Sequence, residues 1–273
     1  MDETPRTHTT ILAEQENIPP TIPALYLPLP PSHPYTTTNP PPPSTLRYTA
    51  THPTPSPTES QYLLKIQTTA LCRGELGWAE TLLPPPPPPH SNSPTTNSTL
   101  TRIPGHDICG IILSTPQTDT HSATGPKFKV GDEVVALLAF ARDGGAADVA
   151  VAVEAELAFK PRNVSAALAA CVPLSALTAW QALFEQAGVR GWVWDSDSEG
   201  GLQQQKQEEE DDGGVRRVLV LNASGGVGVM VCQMLRAKLL LGGGAGRGRF
   251  WVCGVCSGRN AGFVSGELGV DEV

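Results

Sequence analysis

The run Val218-Leu219-Val220-Leu221-Asn222-Ala223-Ser224-Gly225-Gly226-Val227-Gly228 sets an apolar stretch directly before a glycine-rich turn. Glycines at such a turn let the backbone come close to a phosphate, and the free amides opening the next helix stabilise its charge. A buried strand over 217–221, a helix over 227–241 and a second buried strand over 250–255 supply the context that a dinucleotide pyrophosphate site requires. Ala223, a small residue, stands where the usual pattern opens with glycine. Ala223, Ser224, Gly225, Gly226, Val227 and Gly228 are therefore the candidate pyrophosphate contacts. The competing reading is a strand–helix turn that serves the fold alone.

The end of the second strand should carry an acid if it reads the ribose 2′-hydroxyl of NAD. The chain instead reads Cys256-Ser257-Gly258-Arg259-Asn260. A hydroxyl and a guanidinium suit a 2′-phosphate, so Ser257 and Arg259 point to NADP(H), although Arg259 would also fit a solvated helix start. Cys253 and Cys256 have the spacing of a redox or metal pair. Inside a strand, however, i and i+3 face opposite sides, so they read as structural.

The elements that would position these residues divide by composition. Of the 27 prolines, only Pro116, Pro126, Pro161 and Pro173 lie beyond Pro104, whereas the glycines concentrate from Gly188 onward. Short apolar runs at 24–27, 46–48, 62–71, 110–113, 130–138 and 147–153, separated by turn residues, predict a small β-barrel. Helices are expected over 165–170 and 174–187, with Gly188 as the C-cap of the second, and a last helix over 260–268. Residues 1–23 read as a flexible extension. Pro84–Pro89 opens a Pro-rich insert over 84–99, residues 190–214 a disordered acidic insert, and 242–248 a glycine-rich one.

The formal charge is −8, from 19 Lys+Arg and 27 Asp+Glu. Most of that excess sits in 190–214, so the charge marks one solvated loop and no basic stripe suggests nucleic acid. No apolar run is expected to reach the length of a membrane span, and the acidic N-terminus lacks the features of a signal peptide. Six cysteines without disulfide-framework spacing fit a reducing cytosol, so a cytoplasmic location is expected.

Phe128-Lys129-Val130-Gly131-Asp132-Glu133-Val134, preceded by Pro104-Gly105-His106-Asp107, resembles the GroES-like half of the medium-chain dehydrogenase/reductase superfamily. The stretch Leu174-Ser175-Ala176-Leu177-Thr178-Ala179-Trp180-Gln181-Ala182-Leu183, together with Ala223–Gly228, is similar to its quinone-oxidoreductase-like branch. Arg73-Gly74-Glu75-Leu76-Gly77-Trp78 is similar to fungal members, which are often labelled zinc-binding. The resemblance implies an α/β plus β fold: a GroES-like β-barrel domain over 24–162 and a Rossmann cofactor domain over 163–273. A dinucleotide fold needs about six parallel strands. The residues after Gly228 have room for helix, strand and helix, so a C-terminally truncated member is expected, with 250–255 as an unpaired edge.

The implied activity is NADPH-dependent hydride transfer to a quinone, enone or related carbonyl compound. Thr178 would sit beside the nicotinamide, and the small-molecule substrate would be met by an enzyme free to form homo-oligomers. No tyrosine follows Tyr62, which leaves His106, Cys72 or water to deliver the proton. Cys72 and His106, with Asp107 beside it, resemble two ligand positions and a supporting acid of the zinc-using alcohol dehydrogenases. A catalytic zinc needs three protein ligands, and the third place, near Leu174, holds none. Zinc is therefore not expected. Cys72 then reads as a buried small hydrophobe and His106 as a hydrogen-bonded core or cleft histidine. The alternative to the enzyme is a catalytically inactive fragment or a non-enzymatic interaction protein of the same family.

Overall fold

The structure is a computed structural model that describes residues 18–29, 34–82, 100–116, 125–189, 215–237 and 250–273, plus the backbone of 192–194 and 202–204. The Pro-rich insert, the 242–248 insert and most of the expected N-terminal extension lie outside the described residues. The chain divides into two compact units, Met1–Pro173 and Leu174–Val273. The division falls after Pro173 rather than after residue 162.

The first unit carries strands β1 (Thr21–Leu29), β2 (Arg47–Pro53) and β3 (Gln61–Ala70), helix α1 (Ala79–Leu82), and β4 (Leu100–Arg102), β5 (Asp107–Ser114), β6 (Glu133–Leu137), β7 (Val149–Val153) and β8 (Leu157–Phe159), then α2 (Ala166–Ala169). β1 begins inside the stretch expected as an extension. An antiparallel sheet runs β7-β3-β5-β6-β8, and a second runs β2-β1-β4. The isolated pairing Ala24–Ala147 and the hydrogen bond from Leu25 N to Ala146 O join the two. Among the described residues the strands do not close into a full barrel. Asp107–Leu113 of β5 is buried at every position, as befits a central strand covered on both faces. Tyr62, Leu64, Ile108, Ile112, Phe128 and Leu138 anchor the main core. α2 lies on this unit as well, with Ala169 and Ala170 packed against Cys109.

The second unit begins within helix α3 (Pro173–Trp180), which continues as a π-helical turn over Gln181–Gln186. In the segment expected to be disordered, the backbone of β9 (Trp192–Trp194) pairs antiparallel with β10 (Leu202–Gln204). β11 (Arg216–Leu221), helix α4 (Gly226–Arg236) and β12 (Phe250–Val255) form a βαβ unit with parallel strands in register from Arg216–Phe250 to Leu221–Val255, followed by α5 (Ala261–Gly266). α4 ends at Arg236, earlier than expected.

Two sequence expectations about this sheet change. β11 is not buried on both faces. Val220 packs with Val252, Cys232, Leu235 and Val264, whereas Leu219 and Leu221 on the opposite face are 62% and 70% exposed. The alternation follows from the period of two along a strand whose second face has no layer over it among the described residues. The outer edge of β12 is also not bare: Gly254 N donates to Glu272 O at 2.8 Å and Asp271 N to Val252 O at 2.9 Å. Asp271 Oδ2 further accepts from Val252 N at 2.7 Å and from Arg236 Nη2 at 2.6 Å. Among the described residues the open edge of the sheet is therefore that of β11.

Contrary to expectation, the helical stretch Ala166–Gln186 is long and apolar enough to cross a membrane by length and composition, with a mean hydropathy of 1.6. It is built from three short segments with Pro173 at a junction, and Ala169, Ala170, Ala179 and Leu183 are buried within the protein. Leu168, Val172 and Leu177 of the same stretch are exposed.

Candidate functional site

Cys72 follows the end of β3, Glu75 opens a short 3-10 turn, and His106 immediately precedes β5, so two neighbouring strands bring them together. Glu75 is the organiser. Its Oε1 accepts from Gly105 N at 2.6 Å and faces His106 Nδ1 at 2.8 Å, and its Oε2 accepts from Cys72 N at 3.0 Å. Burial raises the Glu75 carboxyl, but the hydrogen bonds from His106, Cys72 and Gly105 outweigh it, and the net position lies below the ordinary value of 4.5. His106 Nε2 faces the Arg142 carbonyl at 3.2 Å. Phe140 stands edge-on to the imidazole, with ring centroids 5.2 Å apart, and Trp78 packs beside it.

The knot extends further. The Arg142 guanidinium pairs with Glu156 at 2.5 Å, and Glu156 also accepts from Ala139 N and Val153 N. Leu138 N donates to His106 O, and Gly144, Gly145 and Ala146 bond back to Ile103, Gly105 and Pro104. The 138–146 loop is thereby laced onto the segment that carries His106. Cys72 Sγ donates to Asp107 Oδ2 at 3.6 Å, and burial, then the adjacent Asp107 and Glu75 carboxylates, push its thiol up to about 12. Sequence reading named Cys72, His106 and Asp107 but missed Glu75. Its place three residues after Cys72, in a Gly74-Glu75 turn, was the available signal.

Both His106 nitrogens face oxygen acceptors inside the protein. Among the described residues no group of three His, Cys, Asp or Glu side chains could hold a metal ion.

In the second unit the turn between β11 and α4 departs from the sequence reading at one residue. The left-handed position is Asn222, with φ of 54°, one residue before Ala223. Asparagine tolerates this conformation better than other residues with a side chain. Ala223 is fully buried, and its N–H donates to Val255 O at 2.9 Å, tying the two strand ends. Gly225 N donates to Asn222 O at 2.8 Å, closing the turn. A side chain on Gly228 would collide with Asn222 O and the Ala223 backbone, and one on Gly226 would come within 2.7 Å of Ser175 Oγ. The glycines therefore allow the close backbone approach that shapes this cradle at the N-terminus of an 11-residue helix. Val227 forms part of the first turn of that helix.

Ser175 of α3 faces this cradle. Thr178 lies one turn further along the same helix face, exposed, its hydroxyl donating to Leu174 O at 2.8 Å. Ser257 and Arg259 are exposed on the loop after β12, and Asn260 of that loop donates to Ser224 Oγ at 2.9 Å. Cys253 and Cys256 are both free thiols. An apolar groove of about 310 Å³ runs along the open edge of β11, with Ala182, Leu183, Asn222 and Val231 in its walls.

A small antiparallel β unit is thus followed by a βαβ unit with a glycine-rich turn. No protein-family model matches the chain. It is 34% identical over 233 residues to the "Probable zinc-binding oxidoreductase, mitochondrial" of Arthroderma benhamiae, covering 85% of this chain and 57% of that protein. It is 34% identical over 223 residues to the "Quinone-oxidoreductase homolog, chloroplastic" of Spinacia oleracea, covering 80% and 53%. In fold it matches a mycobacterial protein solved in complex with NADPH, with a TM-score of 0.59 and 20% identity over 93% of this chain and 58% of that one. The chain is similar to quinone-oxidoreductase-like members of the medium-chain dehydrogenase/reductase superfamily, and its fold is like theirs, a GroES-like unit and a Rossmann-type unit. It spans just over half the length of these curated relatives.

Proposed function

We propose that this chain carries the cofactor turn of an NADPH-dependent oxidoreductase acting on a quinone, enone or related carbonyl compound. The observation that carries the reading is the strand–turn–helix at Asn222–Gly228, where the lack of side chains at Gly226 and Gly228 lets the backbone of the turn pack closely on Asn222, Ala223 and Ser175 at the N-terminus of an 11-residue helix. Ser224, Gly225 and the amides of Gly226, Val227 and Gly228 would line the pyrophosphate, with Ala223 packed beneath them. Ser257 and Arg259 would meet the 2′-phosphate, and Thr178 would lie beside the nicotinamide.

NADPH, when bound, supplies a hydride to the electrophilic carbon of the substrate. A proton must then reach the substrate oxygen or α-carbon. His106 and Cys72 were the candidate donors, and the engagement of both imidazole nitrogens and of the thiol supports water as the source instead. The role that remains for His106 and Cys72 is to hold the 103–106 segment and its loop in place. Six free cysteines fit a reducing compartment, and the relatives named above are mitochondrial and chloroplastic by name. A second reading, binding without turnover, draws on the exposed Leu219 and Leu221 beside the open β11 edge, a surface suited to a macromolecular partner.

The test is a fluorescence titration of residues 1–273 with NADPH and, in parallel, NADH. Saturable binding that favours NADPH is expected, and a quinone and enone screen would then separate enzyme from binder. A folded chain that binds neither dinucleotide would remove the oxidoreductase reading for this polypeptide.

A further inference from the structure

Two loops make up the proposed cofactor site: the turn at Asn222–Gly225 and the loop Cys256–Asn260. One residue bonds to both. The Asn260 backbone N–H donates to Ser257 O at 2.8 Å, closing the turn that carries Ser257 and Arg259. Its carboxamide Nδ2 donates to Ser224 Oγ at 2.9 Å, across the ends of the two parallel strands. From this geometry we infer that Asn260 is a positioning residue for the dinucleotide, setting both the direction of the Ser224 hydroxyl and the spacing between the two phosphate-binding loops. The inference rests on the cofactor reading above.

The argument is one of hydrogen-bond direction. A serine hydroxyl has one proton to donate and lone pairs that accept. With Asn260 donating into a lone pair, the Ser224 proton points away from Asn260 and stays available for an anion at the start of α4. An aspartate at 260 would reverse this. Its carboxylate accepts only, so the Ser224 hydroxyl would turn toward it, and a negative charge would stand beside the phosphate position. The strand ends do not depend on this contact, because Ala223 N already bonds to Val255 O and the apolar cluster around Val252 and Val264 packs the sheet.

The experiment titrates the full chain with NADPH and NADH as wild type, Asn260→Ala, Asn260→Asp, Ser224→Ala and the Asn260→Ala/Ser224→Ala double variant, with a melting curve for each. The aspartate variant is expected to weaken NADPH binding by about tenfold or more, the value of one hydrogen bond to a charged group. The alanine variant should lose less. The double variant should bind no worse than Ser224→Ala alone, since Asn260 acts through that hydroxyl. Binding by both Asn260 variants equal to wild type, or losses that add in the double variant, would overturn the inference while leaving the cofactor reading intact. A wild-type chain that binds no NADPH would sink both. Loss of NADPH affinity with an unchanged melting temperature separates positioning from a contribution to folding.

Discussion

In the first unit Glu75, His106, Cys72 and Asp107 direct their hydrogen bonds at one another and at the backbone, and Glu75, His106 and Asp107 are at most 3% exposed. In the second unit Ser257, Arg259 and Thr178 are exposed, and glycine lets the backbone that opens α4 pack closely on Asn222 and Ala223. The same residue types therefore mean different things. A histidine or thiol whose every polar atom has a protein partner is committed to the fold, whereas exposed side chains such as Ser257 and Arg259 remain accessible to a ligand. The contrast supports architecture for the first cluster and, under the proposed function, binding for the second.

The strongest way to break this comparison is to remove the organiser. Glu75→Ala would leave His106 Nδ1 and the buried N–H groups of Gly105 and Cys72 without their acceptor. Breaking one side of a buried pair typically costs about 3–5 kcal/mol, so urea unfolding should show a loss of that size. Glu75→Gln, which keeps one acceptor oxygen, should recover part of it. A loss under about 1 kcal/mol, the scale of an exposed pair, would mean that the knot is not a structural device.

A milder probe uses acid. The Glu75 carboxyl lies below its ordinary value of 4.5 in the folded state, so its charged form stabilises the fold fully above that pH. The contribution is lost as pH falls from about 4.5 toward the folded-state value. Melting temperature should therefore be flat in this respect between neutral pH and 5 and drop below 4.5, with a shallower drop in Glu75→Gln. An identical acid slope in both proteins would show that other carboxylates govern the transition.

The strand–turn–helix of the second unit was legible from sequence because its signals are local: an apolar run, then glycines, then a helix of matching period. β12 was placed at its observed bounds for the same reason. What was not legible depends on contacts distant in sequence. The pairing of Asp271 and Glu272 with β12, and so the identity of the open edge, follows from hydrogen bonds to Val252 and Gly254 across the α5 crossover. The exposure of Leu219 and Leu221 depends on what covers a sheet face, which an apolar run does not specify. Glu75 was hidden for a related reason: its three partners come from two strands that meet only in the folded unit.

Asn222 offers the finest test, because it concerns the backbone of the cradle itself. Sequence reading assigned the missing first glycine to Ala223, yet the residue with positive φ is Asn222 and Ala223 is packed in the core. A residue with a β-carbon pays roughly 1–2 kcal/mol in this region, asparagine less than most. Asn222→Gly should then hold or slightly raise the stability of the second unit, even after the extra freedom of glycine in the unfolded chain is counted. Asn222→Ala should lower it by about 1 kcal/mol and weaken NADPH binding in step, because Asn222 O both accepts from Gly225 N and abuts Gly228. Ala223→Gly, by contrast, should cost stability by removing a buried methyl without easing any turn. Should Ala223→Gly prove the stabilising change and Asn222→Gly the damaging one, the turn would begin one residue later than the structure has it, and the Ser224–Asn260 contact would lose its geometric basis.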